Sequence, residues 1–225
     1  MTLTLQDIQA RISTMVDQST TPPTEGTSEW NIRLNFINRA IEEWGQAYNW
    51  DSLRKVSFVS ITGAQGSIAL PADFKKLTGF PRLFGSTNEP FGEPWQEIQS
   101  HEKYMKDDAD HFFYLMGDRA NGMFMMWNPM TLSSGSSLSV EYYSYPQGAS
   151  LSTDRIVVND PEFLVDRAMA YILQSRNDGR FQQFEAQARE KLLLMVDNEN
   201  EKSRAYRNKI DTPENSFFGF RLGRD

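Results

Sequence analysis

The first fifty residues carry two series of apolar positions at spacings of three and four residues, the period of one face of an α-helix. The first series consists of Leu5, Ile8, Ile12, Met15 and Val16. It predicts a helix over residues 4–17, with Thr4 as the N-cap and Asp7 in the first turn. The following cluster of Ser, Thr, Pro and Gly at residues 19–26 cannot continue a helix, so it ends the element.

The second series predicts a longer helix over residues 28–49, with Ser28 as its N-cap. Its apolar stripe, the predicted helical core, consists of Trp30, Leu34, Ile37, Ile41 and Trp44, and Tyr48 extends it. Polar residues fill the opposite face of this predicted helix: Arg33, Asn38, Arg39, Glu42 and Glu43. The first fifty residues therefore predict a pair of helices.

Between residues 54 and 145 the period changes to two, which predicts a β-region. Residues 56–61 and 67–70 flank a Gly-containing turn and predict a β-hairpin. Further extended segments are predicted at residues 76–84, 114–116, 122–127 and 138–145, and a short helix at 96–105. In the last strand Leu138, Val140 and Tyr142 share one face. These elements predict a small antiparallel sheet inserted between helices.

Two more helices are predicted after the β-region, over residues 160–177 and 180–205. Asp160 is a suitable N-cap, and Pro161 suits the first helical position. The predicted fold class is α+β: a helical bundle, made of the N-terminal helix pair and a C-terminal helical hairpin, with an inserted small antiparallel β-region. Residues 1–207 are predicted to form a single domain, followed by an extended C-terminal tail over residues 208–225.

The tail is unusually aromatic for a segment without any period. It contains Phe217, Phe218, Phe220, Arg221 and Leu222. Solvated tails are poor in aromatic residues, so these side chains require a surface that buries them. That surface belongs either to the same chain, since docked termini are common, or to another chain. We favour another chain and predict that the tail is a docking arm.

Composition excludes several classes of protein. The chain has 225 residues with 23 basic and 30 acidic side chains, a net charge of −7 and no cysteine. Disulfides, thiol nucleophiles and Cys-based metal sites are therefore excluded. A net-acidic chain is a poor candidate for binding the phosphate backbone. No apolar run approaches the roughly 20 residues of a membrane span, and no signal peptide is expected because Asp7 and Arg11 interrupt the start.

The sequence offers no catalytic constellation. His101-Glu102 begins a zinc-protease pattern, but Met105 occupies the position of the second histidine. His111 lies in an acidic stretch whose spacing matches no defined metal site. We therefore predict no enzyme, no metal and no cofactor. The alternative from a different class is a small-ligand or metal-dependent enzyme module with a site in the β-region, at His101 and His111.

Two segments resemble a known family. Residues 29–41, which contain Ile37-Asn38-Arg39-Ala40, and the strand end Leu70-Pro71-Ala72-Asp73-Phe74 resemble head–tail adaptor (connector) proteins of tailed bacteriophages. The helix opening at Asp160-Pro161 is also similar to that family. The resemblance covers most of the first 80 residues and, more loosely, residues 160–194.

The resemblance implies a structural virion protein of the head–tail neck, present in the host cytoplasm during assembly. Such proteins form a homo-oligomeric ring of about a dozen copies under the portal. The ring extends the DNA channel, lets DNA pass without specific binding, and contacts the portal protein and the next neck or tail protein. The tail would dock on the portal or on a neighbouring subunit. A tail-tubular or gatekeeper protein lower in the neck is the alternative within this class.

Overall fold

A computed structural model describes residues 3–61, 66–84, 90–91, 94–99, 102, 112–127 and 136–210. The chain divides into two compact units. The helical unit combines residues 1–48 with residues from 148 onward, and the β unit comprises residues 49–147. The helical unit contains the four predicted helices: α1 (Leu5–Val16), α2 (Ser28–Ala47), α3 (Pro161–Ser175) and α4 (Phe181–Ile210).

Local capping chemistry explains where three of these helices begin. Asp7 N–H donates to Thr4 Oγ1 and Thr4 N–H donates to the Asp7 carboxylate, a reciprocal capping box. The bonds from Thr4 lower the pKa of Asp7. Asp160 accepts from Glu162 N–H at 3.0 Å, as predicted for an N-cap before Pro161. The N-cap of α2 is Thr27 rather than Ser28, because Trp30 N–H donates to the Thr27 hydroxyl.

Helix α3 is the element on which the other three helices pack. It is buried along most of its length, from Phe163 to Val165 and from Ala168 to Leu173. Of the predicted core of α2, Trp30, Ile37, Ile41 and Trp44 are buried and Leu34 is half-buried. The placement of Arg33 on the polar outer face was wrong, since its side chain is only 3% exposed. A regular bundle of these helices stays a prediction.

The β unit has nine strands among its described residues: β1 (Arg54–Ser60), β2 (Ser67–Ala69), β3 (Phe74–Leu77), β4 (Arg82–Phe84), β5 (Pro90–Phe91), β6 (Gln96–Glu97), β7 (Phe112–Asp118), β8 (Gly122–Met126) and β9 (Ser137–Ser144). One sheet has the order β1-β9-β4-β5, with β3 also paired to β9. The other has the order β2-β8-β7-β6. All pairs are antiparallel except β6 with β7.

Strand β9 organises the first sheet. It pairs with β1 along its length and with β3 and β4 at successive positions. Its burial alternates strictly, which confirms the predicted face of Leu138, Val140 and Tyr142. These three join residues of both sheets in one apolar core: Ile61, Ile68, Leu70, Phe74, Leu83, Trp95, Phe113, Met125 and Trp127. The two sheets therefore share a core inside the β unit.

Three predictions about the β-region were wrong. The predicted hairpin of residues 56–70 does not form, because β1 pairs with β9 and β2 pairs with β8, in different sheets. The predicted helix at 96–105 begins instead with strand β6, whose two residues pair with β7. The region is also larger than a small antiparallel sheet. Periodicity locates strands, but their partners depend on contacts distant in sequence.

Two glycines of the β7–β8 hairpin allow its backbone conformation to be tested by substitution. Gly117 and Gly122 both have positive φ angles, +106° and +92°. A Cβ at Gly117 would lie 2.2 Å from the carbonyl oxygen of Gly122, whereas at Gly122 the nearest atom is a ring carbon 3.8 Å away. We expect Gly122→Ala to cost roughly 1–2 kcal/mol through φ strain alone, and Gly117→Ala about 1–3 kcal/mol more through overpacking. Equal urea-unfolding midpoints for the two variants would contradict this geometry.

Candidate functional site

The segment Ile37-Asn38-Arg39-Ala40 ties α2 to two other parts of the helical unit. Ile37 and Ala40 are buried. The Asn38 side-chain amide donates to the carbonyl of Ala149 at 2.9 Å and accepts its N–H at 2.8 Å, as a paired backbone strand would. The Arg39 guanidinium lies 4.3 Å from the ring centroid of Tyr171 in α3. This segment therefore joins α2 to α3 and to the chain around Ala149.

We expect Asn38→Ala to lower the free energy of unfolding by about 1–3 kcal/mol, because the polar groups of buried Ala149 lose both partners. Asn35→Ala is the matched control, since Asn35 is an exposed asparagine of the same helix. Chemical unfolding followed by circular dichroism compares the two. A control that loses as much stability as Asn38→Ala would mean that the two bonds to Ala149 make no specific contribution.

The segment Leu70-Pro71-Ala72-Asp73-Phe74 has a similar structural role in the β unit. Leu70 and Phe74 enter the shared core. The Asp73 carboxylate accepts from the Tyr142 hydroxyl at 3.0 Å and pairs with Lys55 at 2.5 Å, while its backbone carbonyl accepts from Tyr145 N–H. Asp73 thus links β9 to β1 through side chains at the start of β3.

This arrangement predicts a specific loss of stability at high pH. Burial, and then the hydrogen bond to Asp73, raise the pKa of Tyr142 to about 12 from an ordinary value of 10.0. Between these values the unfolded chain has lost the phenol proton and the folded chain retains it, so stability falls as pH rises. We expect the contribution of Tyr142 to the free energy of unfolding to fall by about 2 kcal/mol from pH 10 to pH 12. The Tyr142→Phe variant should lack this fall. Parallel pH profiles for the two proteins would contradict the assignment.

Two ion-pair networks connect helices of the helical unit. Arg33 contacts Ser13, Asp17 and Glu29, and thereby joins α1 to α2. In the second network, Glu43 accepts from Arg167 at 2.7 Å and from the Tyr171 hydroxyl at 2.6 Å. Burial and the bond to Glu43 raise the pKa of Tyr171. Charges paired in this way link α1 to α2 and α2 to α3.

Several predicted site residues fall outside the described part of the chain. They are His101, His111, Phe217, Phe218, Phe220, Arg221 and Leu222. Within the described residues no group of three or more His, Cys, Asp or Glu side chains is placed to hold a metal ion. No described helix is both long and apolar enough to cross a membrane. Among the described residues, the candidates for a functional role are therefore the two motif segments and the exposed surfaces.

Comparison with protein families identifies the family to which the chain belongs. The family model described as SU10 adaptor protein matches residues 3–211. The chain belongs to this family of phage head–tail adaptors. No curated protein matches the sequence significantly. The match includes both motif segments, which confirms the resemblance on which they were singled out.

Membership makes the adaptor a structural connector protein of the virion, with partners among the head or portal and tail components. The matched stretch spans the β unit as well as the helical unit. It ends at residue 211, so the aromatic residues of the tail lie beyond it. The sequence pattern did not reveal the buried ion pairs or the exposed apolar surfaces, because both combine residues from distant segments.

Proposed function

We propose that the adaptor forms a ring below the portal that joins the phage head to the tail and extends the DNA channel. The observation that carries this proposal is the family match over residues 3–211, which includes nearly all of both units. The ring would contain about a dozen copies, each using one face to meet a different face of the next. The helices, packed as a bundle, would build its body.

The charge of the chain supports a passive channel. The net charge of −7 produces repulsion of the DNA backbone, so DNA would pass through the lumen without specific binding. The loops of the β unit would face either the lumen or the tail side. Assembly would begin in the host cytoplasm and end in the neck of the virion.

We further propose that the chain consists of one adaptor domain and a C-terminal docking arm. The predicted arm is residues 208–225; because helix α4 continues to Ile210, the part of the arm beyond the helix comprises 15 residues. Fully extended, such a segment reaches about 50 Å. Its apolar anchors would be Phe217, Phe218, Phe220 and Leu222, and its charged contact would be Arg221. A ring presents many arms at once, which offsets the entropy lost when each arm becomes ordered.

Truncation tests the docking arm. The full chain and a chain ending at Ile210 are each mixed with purified portal rings of the same phage, and the bound fraction is measured by sedimentation. We expect truncation to abolish binding and to leave the helical circular dichroism unchanged. The double variant Glu214→Ala with Asn215→Ala, which alters the arm but keeps its aromatic residues, is expected to bind as the full chain does. Full binding by the truncated chain, or its unfolding, would contradict the proposal.

One observation favours a second position in the neck. The β unit, with its two sheets and shared core, is larger than a minimal adaptor requires. A gatekeeper or tail-tubular protein would contact the tail side rather than the portal. Cross-linking of intact virions distinguishes the two positions, since an adaptor yields cross-links to the portal and a gatekeeper yields none.

A further inference from the structure

The first sheet of the β unit exposes aromatic side chains on the side away from its core. Leu83, Leu138 and Val140 point into the core, so the alternate positions of β1, β3 and β4 point outward. We call this surface the β face; its members are Arg54, Val56, Phe58, Lys76, Phe80, Arg82 and Phe84. Val56, Phe58 and Phe80 are 54%, 59% and 66% exposed.

The β face is shaped for an apolar partner. The rings of Phe58 and Phe84 meet edge to face, 5.4 Å between centroids. Beside them, Phe80, Arg82 and Glu141 line an open hollow of about 380 Å³. Contiguous apolar patches of this kind on a protein surface mark interaction sites. The β face therefore has the properties of a surface that is covered in the assembled protein.

The β face is also positively charged, although the chain as a whole is acidic. Three cations point outward from it: Arg54, Lys76 and Arg82. Its outward carboxylate, Glu141, is paired with Arg54 at 2.7 Å. The remaining charge favours an occupant that combines apolar side chains with carboxylates.

Helix α4 presents such a surface in the helical unit. One side of the helix is buried through Ala188, Met195 and Glu199. On the opposite side Leu193 and Leu194 are 59% and 56% exposed. Exposed carboxylates at the helical spacing of Leu194 complete what we call the α4 face: Glu190, Asp197 and Glu201.

The cations next to the α4 face do not neutralise it. Lys191 is paired with the buried carboxylate of Asp166 at 2.6 Å. Lys202 is paired with the buried carboxylate of Glu199 at 2.9 Å. Arg189 lines a separate hollow together with Glu43. The α4 face therefore presents two exposed leucines within a field of negative charge.

We propose that the α4 face of one copy packs against the β face of the next copy. The inference rests on the proposed ring, in which each subunit must present two different and complementary surfaces. Apolar side chains meet apolar side chains, and carboxylates meet the cations of the β face. The outer side of the second sheet, where Met116 and Phe124 are exposed, is the competing surface in the β unit. Among its paired strand residues it carries Asp118 and no cation that could match the carboxylates of the α4 face.

The absence of native cysteine makes a direct test possible. Single variants Phe58→Cys and Leu194→Cys are mixed, assembled on portal rings, and treated with a short bis-maleimide cross-linker. Because each copy carries one cysteine, a mixed dimer reports only contacts between copies. We expect abundant mixed dimers from this pair. The matched control pairs Leu194→Cys with Met116→Cys, an equally exposed residue of the other sheet, and is expected to give few.

A charge exchange provides the second test. We expect association between copies to weaken by at least about tenfold when the charges of one face are reversed. The reversal is Lys76→Glu with Arg82→Glu on the β face, or Glu190→Lys with Asp197→Lys on the α4 face. Combining both changes in one chain should restore association to within about threefold of the original. All four positions are exposed, so folding should be retained, and the cysteine test remains if a variant fails to fold.

The outcomes separate this inference from the proposed function. If the unmodified chain forms no ring on the portal, the ring itself is wrong. If rings form but the Phe58–Leu194 pair does not cross-link, or the charge exchange restores nothing, the ring stands and this interface is wrong. If Phe58→Ser reduces retention on DNA and leaves association between copies unchanged, the β face is a nucleic-acid surface and the inference is overturned.

Discussion

Replacing Arg33 with alanine is expected to lower the free energy of unfolding by about 3 kcal/mol. The guanidinium donates to Glu29 at 2.9 Å and to Ser13 at 2.8 Å, and it also pairs with Asp17. Its removal leaves buried space and two carboxylates without their main partner. The effect lies at the lower end of the range for broken buried ion pairs because both carboxylates are partly exposed.

Arg176→Ala is the matched control for Arg33→Ala. Arg176 reaches the same two carboxylates, at 3.4 and 3.3 Å, but its side chain is half-exposed. Solvent screens such pairs, so its loss is expected to cost less than about 1 kcal/mol. Urea unfolding followed by circular dichroism measures both variants. If both variants lost the same free energy of unfolding, the burial of Arg33 would make no additional contribution to stability.

Replacing Trp44 with alanine is expected to lower the free energy of unfolding by about 3–5 kcal/mol. Trp44 is completely buried in α2, and its replacement leaves a large cavity on the side of the helix that faces the core. The loss adds the missing apolar transfer energy to the energy of that cavity.

Ile32→Ala is the matched control on the same helix. Ile32 is a half-exposed member of α2, so its truncation should change stability by no more than about 0.5 kcal/mol. Thermal and urea unfolding of both variants provides the comparison. A small effect of Trp44→Ala would contradict the burial of Trp44 in the core of the helical unit.

The elements that could be predicted from the sequence are those determined by neighbouring residues. Thr4 and Asp160 cap their helices through bonds to residues two or three positions away. The alternation from Leu138 to Tyr142 predicted which face of β9 is buried. In each case the physical cause lies within a few residues of its effect, so a local pattern contains the necessary information.

The errors have a different physical origin. Strand β1 pairs with β9, some 80 residues later, rather than with the adjacent β2, and no local pattern specifies that choice. Arg33 occupies a polar position of its helix pattern, yet it is buried because Ser13 and Asp17 of the preceding segment meet it. Burial of a charge depends on a partner, and the partner is visible only after folding.

The candidate motif segments and surfaces also depend on residues that are distant in sequence. Asn38 and Asp73 were singled out by resemblance, but their partners Ala149 and Tyr142 are far along the chain. The β face draws its aromatic and basic residues from β1, β3 and β4, which are separated in sequence. No local run of basic and aromatic residues therefore marks the β face in the sequence.

An electron cryomicroscopy reconstruction of the neck in intact virions tests the central claim most directly. We expect repeated density for α1 through α4 around the axis of the DNA channel, directly below the portal. We also expect that this chain is present among the proteins of the purified particle. Virions that contain no copy of the chain, or density for its fold away from the neck, would contradict the proposed function.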